Sequence, residues 1–454
     1  MENISKKSNY RFLMLALITL SLALSTADRA TLSIAGSSMA TELNISAVDM
    51  GFLFSIFSWS YVICQVPAGW VADKIGSRKA MFWGIFLWSL ATIAMGFVSY
   101  MVFVIPALLA LRFFLGITES PVGPTAGRII AAWFPSSERG ISGAIFNSAA
   151  YLSIAIFTPL MGWLCHVFGW EHVFIVMGAI GLILALAWIK LFNVPCKHKK
   201  VNQAELSYIR DGGGLVDLDS DTPNENGQPS KPKGATLDEF LQLLKNKMLV
   251  GVFISQYCIS SITWFFLSWF PIYLVKERGL SILDAGFIAS IPAICGWIGG
   301  ISSGFFSDYL LKKTGSLSIA RKVPITIGLT LTTFMVGCNY FDSSFAVVFL
   351  MSASFFGKGF GNLGFTVIAD CAPKHIVGTT AGLMNALGNI SGIITPVVIG
   401  IILARTGSFH LALVYVSVHG LLAILSYWCI VGKLQRMELT DEAKEKALQQ
   451  SLPH

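Results

Sequence analysis

Charged side chains lie inside stretches of this sequence that are otherwise apolar. They are Asp28, Arg29, Arg112, Glu119, Arg128, Lys358 and Asp370. At the centre of a bilayer such a residue costs roughly 2.5–3.5 kcal/mol on insertion scales, so charges there are rare and are usually functional. Arg128 and Asp370 fall near predicted helix ends, where a structural or interfacial role is the default. The remaining charges predict chemistry within the apolar segments.

Arg112 and Glu119 are seven positions apart in one apolar segment. Seven residues make about two turns of an α-helix, so both side chains leave the same face, roughly 10 Å apart. Arginine keeps its charge and can bind a carboxylate through two hydrogen bonds, whereas a glutamate can gain and lose a proton. The pair therefore predicts a proton-coupled anion site, and a structural ion pair to the first helix is the alternative. Pro121 and Pro124 predict a kink directly after it.

Asp28 and Arg29 are adjacent, so on a helix their side chains point about 100° apart and cannot face one partner. If the first helix begins at Phe12, Asp28 lies about 24 Å along it, near the edge of a ~30 Å hydrocarbon core. Depth alone therefore leaves two interpretations open, a helix end in water or a buried site. The small apolar residues that follow, ATLSIAG, favour the buried site.

Lys358 lies about fourteen residues into a predicted helix and hence near mid-membrane. Glycines at 357, 359, 361 and 364 surround it, which permits close approach of a backbone or a ligand. The alternative is a lysine whose long side chain reaches a membrane surface.

The composition places these residues in a membrane protein. The chain has 454 residues, of which 54% are hydrophobic and only 13% are charged, against about 25% charged in a typical soluble domain. Apolar stretches of about 20 residues predict membrane-spanning helices, and the sequence predicts twelve of them. They cover approximately residues 12–36, 48–72, 80–100, 103–133, 141–166, 172–193, 249–274, 283–307, 323–341, 344–370, 376–404 and 409–432.

The distribution of Lys and Arg predicts the orientation. Lys and Arg concentrate in the segments that are inside if the N-terminus is cytoplasmic, so both termini are expected in the cytoplasm. The net charge of +7 reflects these short loops and does not indicate a nucleic-acid partner. The eight cysteines form no CxxC pair and no cluster with histidine, so neither a disulfide framework nor a metal site is predicted. No cofactor and no cleavable signal peptide are expected.

The two halves of the chain resemble each other. GWVADKIGSRK at 69–79 matches GFFSDYLLKKTG at 304–315, FNSAAYLS around Asn147 matches MNALGNIS around Asn385, and GWEHVF at 169–174 matches GSFHLA at 407–412. Offsets of 235 to 238 residues indicate a half-length duplication, which is typical of transporters whose halves move about a central site. We predict an N-terminal six-helix bundle at 1–193, a cytoplasmic linker at 194–248 with an amphipathic piece near 237–244, a C-terminal bundle at 249–433 and a cytoplasmic tail at 434–454.

The first copy of the loop motif resembles the signature G-x-x-x-D-x-x-G-x-R-K of the major facilitator superfamily. The fixed positions of the first copy and the retained positions of the second are Gly69, Asp73, Gly76, Arg78, Lys79, Gly304 and Asp308. The resemblance implies an all-α membrane fold of two pseudo-symmetric six-helix bundles. Charge pairing at this loop could latch the cytoplasmic face and break during transport, whereas a loop that only orients the protein is the alternative.

A narrower resemblance covers nearly the whole chain. DRATLSIAG, RIIAAWFPSSERG, WFFLSWFPIYLV and GKGF are similar to the anion:cation symporter family, closest to its bacterial glucarate/galactarate proton symporters. The resemblance implies proton coupling by Asp28 and Glu119 and substrate binding by Arg29. A sugar diacid has two carboxylates, so Arg29 and Arg112 are predicted to hold one and Lys358 the other.

The same resemblance implies substrate contacts for Tyr61 and Asn385, with interhelical hydrogen bonds as an equal alternative. Ala150 stands where close members carry Gln, and Asn362, Gly364 and Phe365 stand where galactonate carriers have Ser, Thr and Trp. These departures argue against a simple galactonate carrier.

The sequence thus predicts a proton-coupled symporter that imports a sugar acid, glucarate or galactarate, across the bacterial cell membrane by alternating access. Its expected partners are the substrate anion, the proton and the lipid bilayer, and a monomer is expected. A hexuronate, galactonate or other organic anion remains an alternative substrate, and an anion exchanger is a further alternative. A membrane-embedded enzyme is disfavoured because no DDxxD or HExxH motif is present.

Overall fold

A computed structural model describes residues 8–135, 137–218, 237–373 and 376–439, and within these ranges the regular structure is helical. The α-helices of the first part of the chain are α1 (Tyr10–Glu42), α2 (Ala47–Ile75), α3 (Ser77–Met95), α4 (Val104–Glu119), α5 (Val122–Trp133), α6 (Arg139–Phe168), α7 (Trp170–Leu191) and α8 (Gln203–Asp211). Those of the second part are α9 (Leu237–Lys245), α10 (Lys247–Ser268), α11 (Phe270–Lys276), α12 (Ile282–Thr314), α13 (Leu317–Thr332), α14 (Ser344–Phe360), α15 (Leu363–Cys371), α16 (Val377–Asn389), α17 (Ser391–Thr406) and α18 (His410–Leu425).

Within the described ranges, eleven helical segments are long and apolar enough to cross a membrane, and each coincides with a predicted span. The remaining predicted span, 80–100, corresponds to the 19-residue α3, whose first turn contains Arg78 and Lys79. The predicted all-α membrane class is confirmed. The cytoplasmic location of the termini stays a prediction, because residues 1–7 and 440–454 lie outside the description.

Several predicted spans are broken into two helices. The predicted kink after Glu119 is confirmed, because α4 ends there and α5 begins at Val122 with Pro121 as its N-cap. A comparable break at Gly361 and Asn362 separates α14 from α15. Breaks of this kind leave backbone groups without partners in the helix. Here one break directly follows Glu119, and the other lies within one turn of Lys358.

Local geometry repeats between the two halves of the chain. The Ser46 and Ser281 hydroxyls accept a hydrogen bond from the backbone N–H three residues on, at the starts of α2 and α12 (3.1 Å in both). Each hydroxyl also donates to the carboxylate of that residue, Asp49 or Asp284. Gly169 and Gly407, which precede α7 and α18, have φ of +93° and +69°, a region that favours glycine. The predicted duplication therefore extends to helix caps and turns.

One compact unit comprises Met1–Ser230, Leu267–Ser290 and Pro396–Gly407. In it α1 packs against α6, α7 and α11, α3 packs against α4 and α7, and α2 packs against α4. Trp269, which precedes α11, donates its indole N–H to the Pro396 carbonyl (3.1 Å), and its ring centroid lies 5.5 Å from that of Phe54. The helices of this unit position the charges of α1 and α4.

The second compact unit comprises Lys231–Phe266, Ile291–Thr395 and Ser408–His454. Here α13 packs against α14 and α18, and α15 packs against α16. Its apolar core includes Leu249, Ile325, Leu329, Val367 and Met384, all fully buried. Lys358 on α14 and Asn385 on α16 belong to this unit.

The linker contains one predicted and one unpredicted helix. The amphipathic piece expected near 237–244 is confirmed as α9, whereas α8 was not predicted. The fully buried Glu205 carboxylate of α8 accepts hydrogen bonds from the backbone N–H groups of Tyr10 and Arg11 at 3.2 and 3.1 Å. It therefore caps the start of α1, whose first N–H groups have no partner within the helix.

A second contact joins α8 to the residue before α6. Tyr208 donates to Glu138 at 2.7 Å, and this hydrogen bond raises the pKa of the Tyr208 hydroxyl.

Candidate functional site

Asp28 is fully buried in the structure. The helix that contains it, α1, has 33 residues and is therefore about 50 Å long, well beyond the ~30 Å needed to cross a hydrocarbon core. The sequence could not decide the depth of Asp28 because a helix of this length has more than one possible position in the bilayer. Burial among the small residues of α1, packed against α6 and α7, excludes a water-exposed helix end for Asp28 in this structure.

Arg29 forms an ion pair with Glu119. The Arg29 Nε donates to Glu119 Oε2 at 3.0 Å, with the Arg29 side chain 14% exposed and the Glu119 side chain fully buried. Ser25, one turn before Arg29 on α1, donates to the same Glu119 oxygen at 2.7 Å and accepts from Arg29 Nη2 at 3.3 Å. Hydrogen bonds to ionised groups are shorter and stronger than neutral ones, so this triad joins α1 firmly to α4.

Two aromatic rings of α2 cover the Arg29 guanidinium. Its Cζ lies 5.0 Å from the centroid of Phe57 and 4.6 Å from that of Tyr61, and the two rings stack with centroids 5.6 Å apart. Aromatic faces attract a guanidinium, more strongly where water is excluded. The predicted contact residue Tyr61 therefore lies directly at Arg29, and Phe57 beside it was not predicted from the sequence.

Arg112 is 1% exposed. Its Nε donates to the Leu53 carbonyl at 3.3 Å, its Cζ lies 5.5 Å from the Phe57 ring centroid, and its Nη1 has no hydrogen-bond partner. An unsatisfied buried donor on a permanent cation is costly. The Arg112 Nη1 is therefore available to an anion.

Gly116 lies between Arg112 and Glu119 on the same face of α4. A Cβ atom there would lie 2.1 Å from the Ser60 hydroxyl oxygen and 2.4 Å from the Phe57 carbonyl oxygen of α2. Only glycine allows this approach. Gly116 was not predicted as part of the site, although it lies four residues after Arg112, on the helix face predicted for Arg112 and Glu119.

Asp28 differs from Glu119 in its contacts. Both oxygens of its carboxylate are buried and accept no hydrogen bond, while Glu119 leaves only Oε1 unpaired. Asp28 nevertheless interacts electrostatically with Glu119, Arg112 and Arg29. The structure therefore brings five predicted residues together in one cluster, which consists of Asp28, Arg29, Tyr61, Arg112 and Glu119.

Lys358 and Asn385 lie in the second unit. Lys358 is 7% exposed, and its Nζ lies 5.3 Å from the ring centroid of Phe355, one turn back on α14. Asn385 is half-buried, and its carbonyl accepts a hydrogen bond from the Asn389 side chain at 3.0 Å. Their roles in substrate binding stay predictions.

The loop motif lies where α2 ends and α3 begins. The Gly76 N–H caps α2 through the Ala72 carbonyl, with φ of +80° at Gly76. Arg78 donates to the Ile189 carbonyl of α7, and the Trp188 indole donates to the Arg78 carbonyl at 3.0 Å. Lys79 is exposed and Gly69 half-buried, while the Asp73 side chain lies outside the described part.

In the second copy of the motif, Asp308 is paired. Arg321 of α13, which is 6% exposed, lies 3.6 Å from Asp308 Oδ1 and 2.9 Å from Asp370 Oδ2, and it donates to Ser307 at 2.6 Å. Asp370 therefore has the structural partner that its position near a helix end suggested. Gly304 lies on α12, and a Cβ atom at this position would have no neighbour within 4 Å among the described residues. The latch function of both copies stays a prediction.

Across the described ranges, no group of three or more His, Cys, Asp or Glu residues is placed to hold a metal ion. The charged cluster of α1 and α4 pairs acids with arginines, which suits an organic anion and a proton better than a cation.

Comparisons with known proteins agree with this geometry. Residues 18–332 match the Major Facilitator Superfamily profile. The chain is 48% identical over 446 residues to the probable galactarate/D-glucarate transporter GudP of Escherichia coli strain K12, covering 97% of this chain and 98% of that protein. It is 49% identical over 451 residues to the GudP of Bacillus subtilis strain 168, covering 99% and 97%. The crystal structure of a D-xylose-proton symporter has the same fold, with a TM-score of 0.70 at 15% identity, covering 95% of this chain and all of that one.

Proposed function

Because the chain belongs to the major facilitator superfamily, we propose that it is a proton-coupled symporter that imports D-glucarate or galactarate. It is a multi-pass protein of the bacterial inner membrane. The proposed substrate follows from the GudP relatives, which match almost the full length of the chain. The role is that of a transporter and not of an enzyme, and we propose that the protein acts as a monomer in the lipid bilayer.

The observation that carries this proposal is the buried Arg29–Glu119 ion pair. An arginine that holds an internal carboxylate can hold a substrate carboxylate in the same way, provided that the internal group becomes neutral. Protonation of Glu119 removes its charge and releases Arg29 to the substrate. Loss of the proton restores the pair and expels the substrate, so that proton and anion are bound together.

Arg112 supports the same scheme. Its Nη1 has no partner inside the protein, so a substrate carboxylate could accept from Arg29 and Arg112 together. Tyr61 covers the Arg29 guanidinium with its ring and could contact a sugar hydroxyl. These roles, like the proton-coupling role of Asp28 and Glu119, are proposals that rest on the contacts described above.

Alternating access would bring this site to each face of the membrane in turn. We propose that the halves 1–193 and 249–433 are the moving bodies, joined by the linker 194–248 and followed by the tail 434–454. The motif residues Gly69, Asp73, Gly76, Arg78 and Lys79, with Gly304 and Asp308, would hold and release the cytoplasmic face.

Uptake into proteoliposomes tests the function. With radiolabelled glucarate, galactarate, galactonate and glucuronate, we expect accumulation of the first two to rise as external pH falls and to collapse with a protonophore. Preference for glucuronate or galactonate would identify an alternative substrate of the same family. Uptake driven by sodium, or exchange that is insensitive to pH, would refute the proton coupling.

Lys358→Gln tests whether the second unit binds a carboxylate. A hydrogen bond to a charged group contributes roughly 1.5–3 kcal/mol, so the apparent KM for a diacid should rise about tenfold or more. The monoacid galactonate should be affected much less, because it lacks the second carboxylate. Lys312→Gln, an exposed lysine at the end of α12, is the control. An unchanged KM for the diacid in Lys358→Gln would remove Lys358 from the site.

A further inference from the structure

Ser25 differs from Ser21 and Ser33, two other buried serines of α1. Ser21 donates to the Leu17 carbonyl at 2.9 Å and Ser33 to the Ala30 carbonyl at 3.0 Å, both within their own helix. Such back-bonding is the usual arrangement of a serine inside an apolar helix. Ser25 instead donates to the Glu119 carboxylate of α4 at 2.7 Å, in a fully buried position.

Ser25 also touches the other member of the ion pair. Its oxygen accepts from Arg29 Nη2 at 3.3 Å while its proton is directed to Glu119. A hydroxyl can serve as donor and acceptor at once, and its hydrogen can rotate between acceptors. Ser25 is thus hydrogen-bonded to both charges that the proposed mechanism separates.

We propose that Ser25 is a positioning residue for proton coupling, which holds the ionised Glu119 carboxylate and releases it when Glu119 is protonated. The inference rests on the proposed function of Glu119. In the ionised state the Ser25 hydroxyl and Arg29 together satisfy Oε2. In the protonated state the hydroxyl turns to a main-chain carbonyl one turn back, as Ser21 does, and the Glu119 side chain loses its tie to α1.

The titratable groups around this pair come from several helices. Those that interact electrostatically with Glu119 are Asp28, Arg29 and Arg112, and Tyr61 interacts with Arg29. The elements packed against α1 and α4 carry further titratable groups. They are Asp49, Cys64, Asp73 and Lys74 on α2, Arg78 and Lys79 on α3, Tyr100 before α4, Arg128 on α5, Arg139, Tyr151, Cys165 and His166 on α6, Glu171, His172 and Lys190 on α7, and Tyr273 and Lys276 on α11. Of the carboxyl groups on these helices, Asp28 interacts electrostatically with Glu119, so its protonation must be distinguished from that of Glu119.

Infrared titration of the purified full-length protein in lipid tests the proposal without requiring transport. The band of protonated Glu119 is assigned by its absence in Glu119→Gln, and its intensity is followed against pH. Removing a hydrogen bond to the charged form favours protonation, so the midpoint in Ser25→Ala should move up by about one pH unit. Ser25→Thr, which keeps the hydroxyl, should restore the wild-type midpoint.

Ser21→Ala is the matched control, because Ser21 is equally buried but bonds only to its own helix. A midpoint that is the same in Ser25→Ala, Ser21→Ala and the wild type would overturn the positioning role, as would failure of Ser25→Thr to restore it. Absence of proton-driven uptake in the wild type would instead refute the proposed function, and the titration would still report on Ser25.

Discussion

Glu119→Gln is expected to abolish uptake driven by a proton gradient while exchange of substrate across the membrane continues. Glutamine resembles the protonated glutamate in shape but cannot change its charge. The Ser25 hydroxyl can still donate to its oxygen, so the junction of α1 and α4 is largely kept. Arg29 then has no competing carboxylate, and substrate can bind at any pH.

The measurement compares two assays in the same proteoliposomes. Uptake driven by an imposed pH gradient should fall to the level of vesicles without protein. Counterflow at equal pH should stay within about threefold of the wild type, because the interactions with the bound substrate are retained. Substrate affinity, which in the wild type should weaken as pH rises, should become independent of pH.

Glu42→Gln is a matched control on the same helix as Arg29. Glu42 accepts a hydrogen bond from the Trp170 indole at 2.8 Å, which a glutamine oxygen can accept as well. We expect wild-type driven uptake and pH dependence for it. If Glu119→Gln retained driven uptake, or lost counterflow to the same extent, Glu119 would be a structural partner of Arg29 and no proton carrier.

The positions of the charges could be predicted from the sequence, but their partners could not. Charged residues in apolar stretches are visible because they are costly there, and helical spacing placed Arg112 and Glu119 on one face. Neither property decides whether Arg29 pairs with Asp28 or with Glu119. That choice depends on how α4 packs within this unit, where Gly116 permits a close contact with α2.

The linker shows a similar limit. The helix α8 has a low apolar content and only nine residues, so it is too short to be stable alone. Its order comes from Glu205, which is fully buried and bonds to the start of α1 about 195 positions earlier in the chain. A local pattern could not predict this contact, whereas the amphipathic face of α9 made that helix predictable.

The two buried carboxyl groups have different environments, which suggests different roles. Glu119 accepts two hydrogen bonds, from Ser25 and Arg29, so the substrate must compete with the Glu119 carboxylate for Arg29. Asp28 accepts none, so the pocket offers its charge only the more distant attraction of the arginines. We therefore expect substrate binding to be coupled directly to the proton on Glu119, and Asp28 to act at a separate step of the cycle.

Asp28→Asn should accordingly abolish uptake driven by the proton gradient and leave the pH dependence of substrate affinity intact. The protein should fold normally, with a thermal midpoint within about 2 °C of the wild type, because no hydrogen bond to the Asp28 carboxylate is lost. Affinity should still weaken as pH rises, because Glu119 remains able to ionise and to compete for Arg29.

This combination distinguishes the two carboxyl groups from each other and from a structural role. Glu119→Gln removes the pH dependence of affinity, whereas Asp28→Asn keeps it, although neither variant accumulates substrate. Asp49→Asn, at the exposed start of α2, controls for the loss of a carboxylate in the same unit. Asp28→Asn could instead unfold at a much lower temperature and keep normal uptake per folded molecule. In that case the role of Asp28 would be only to stabilise the folded protein by balancing the charge of the buried arginines. The proton would then be carried by Glu119 without it.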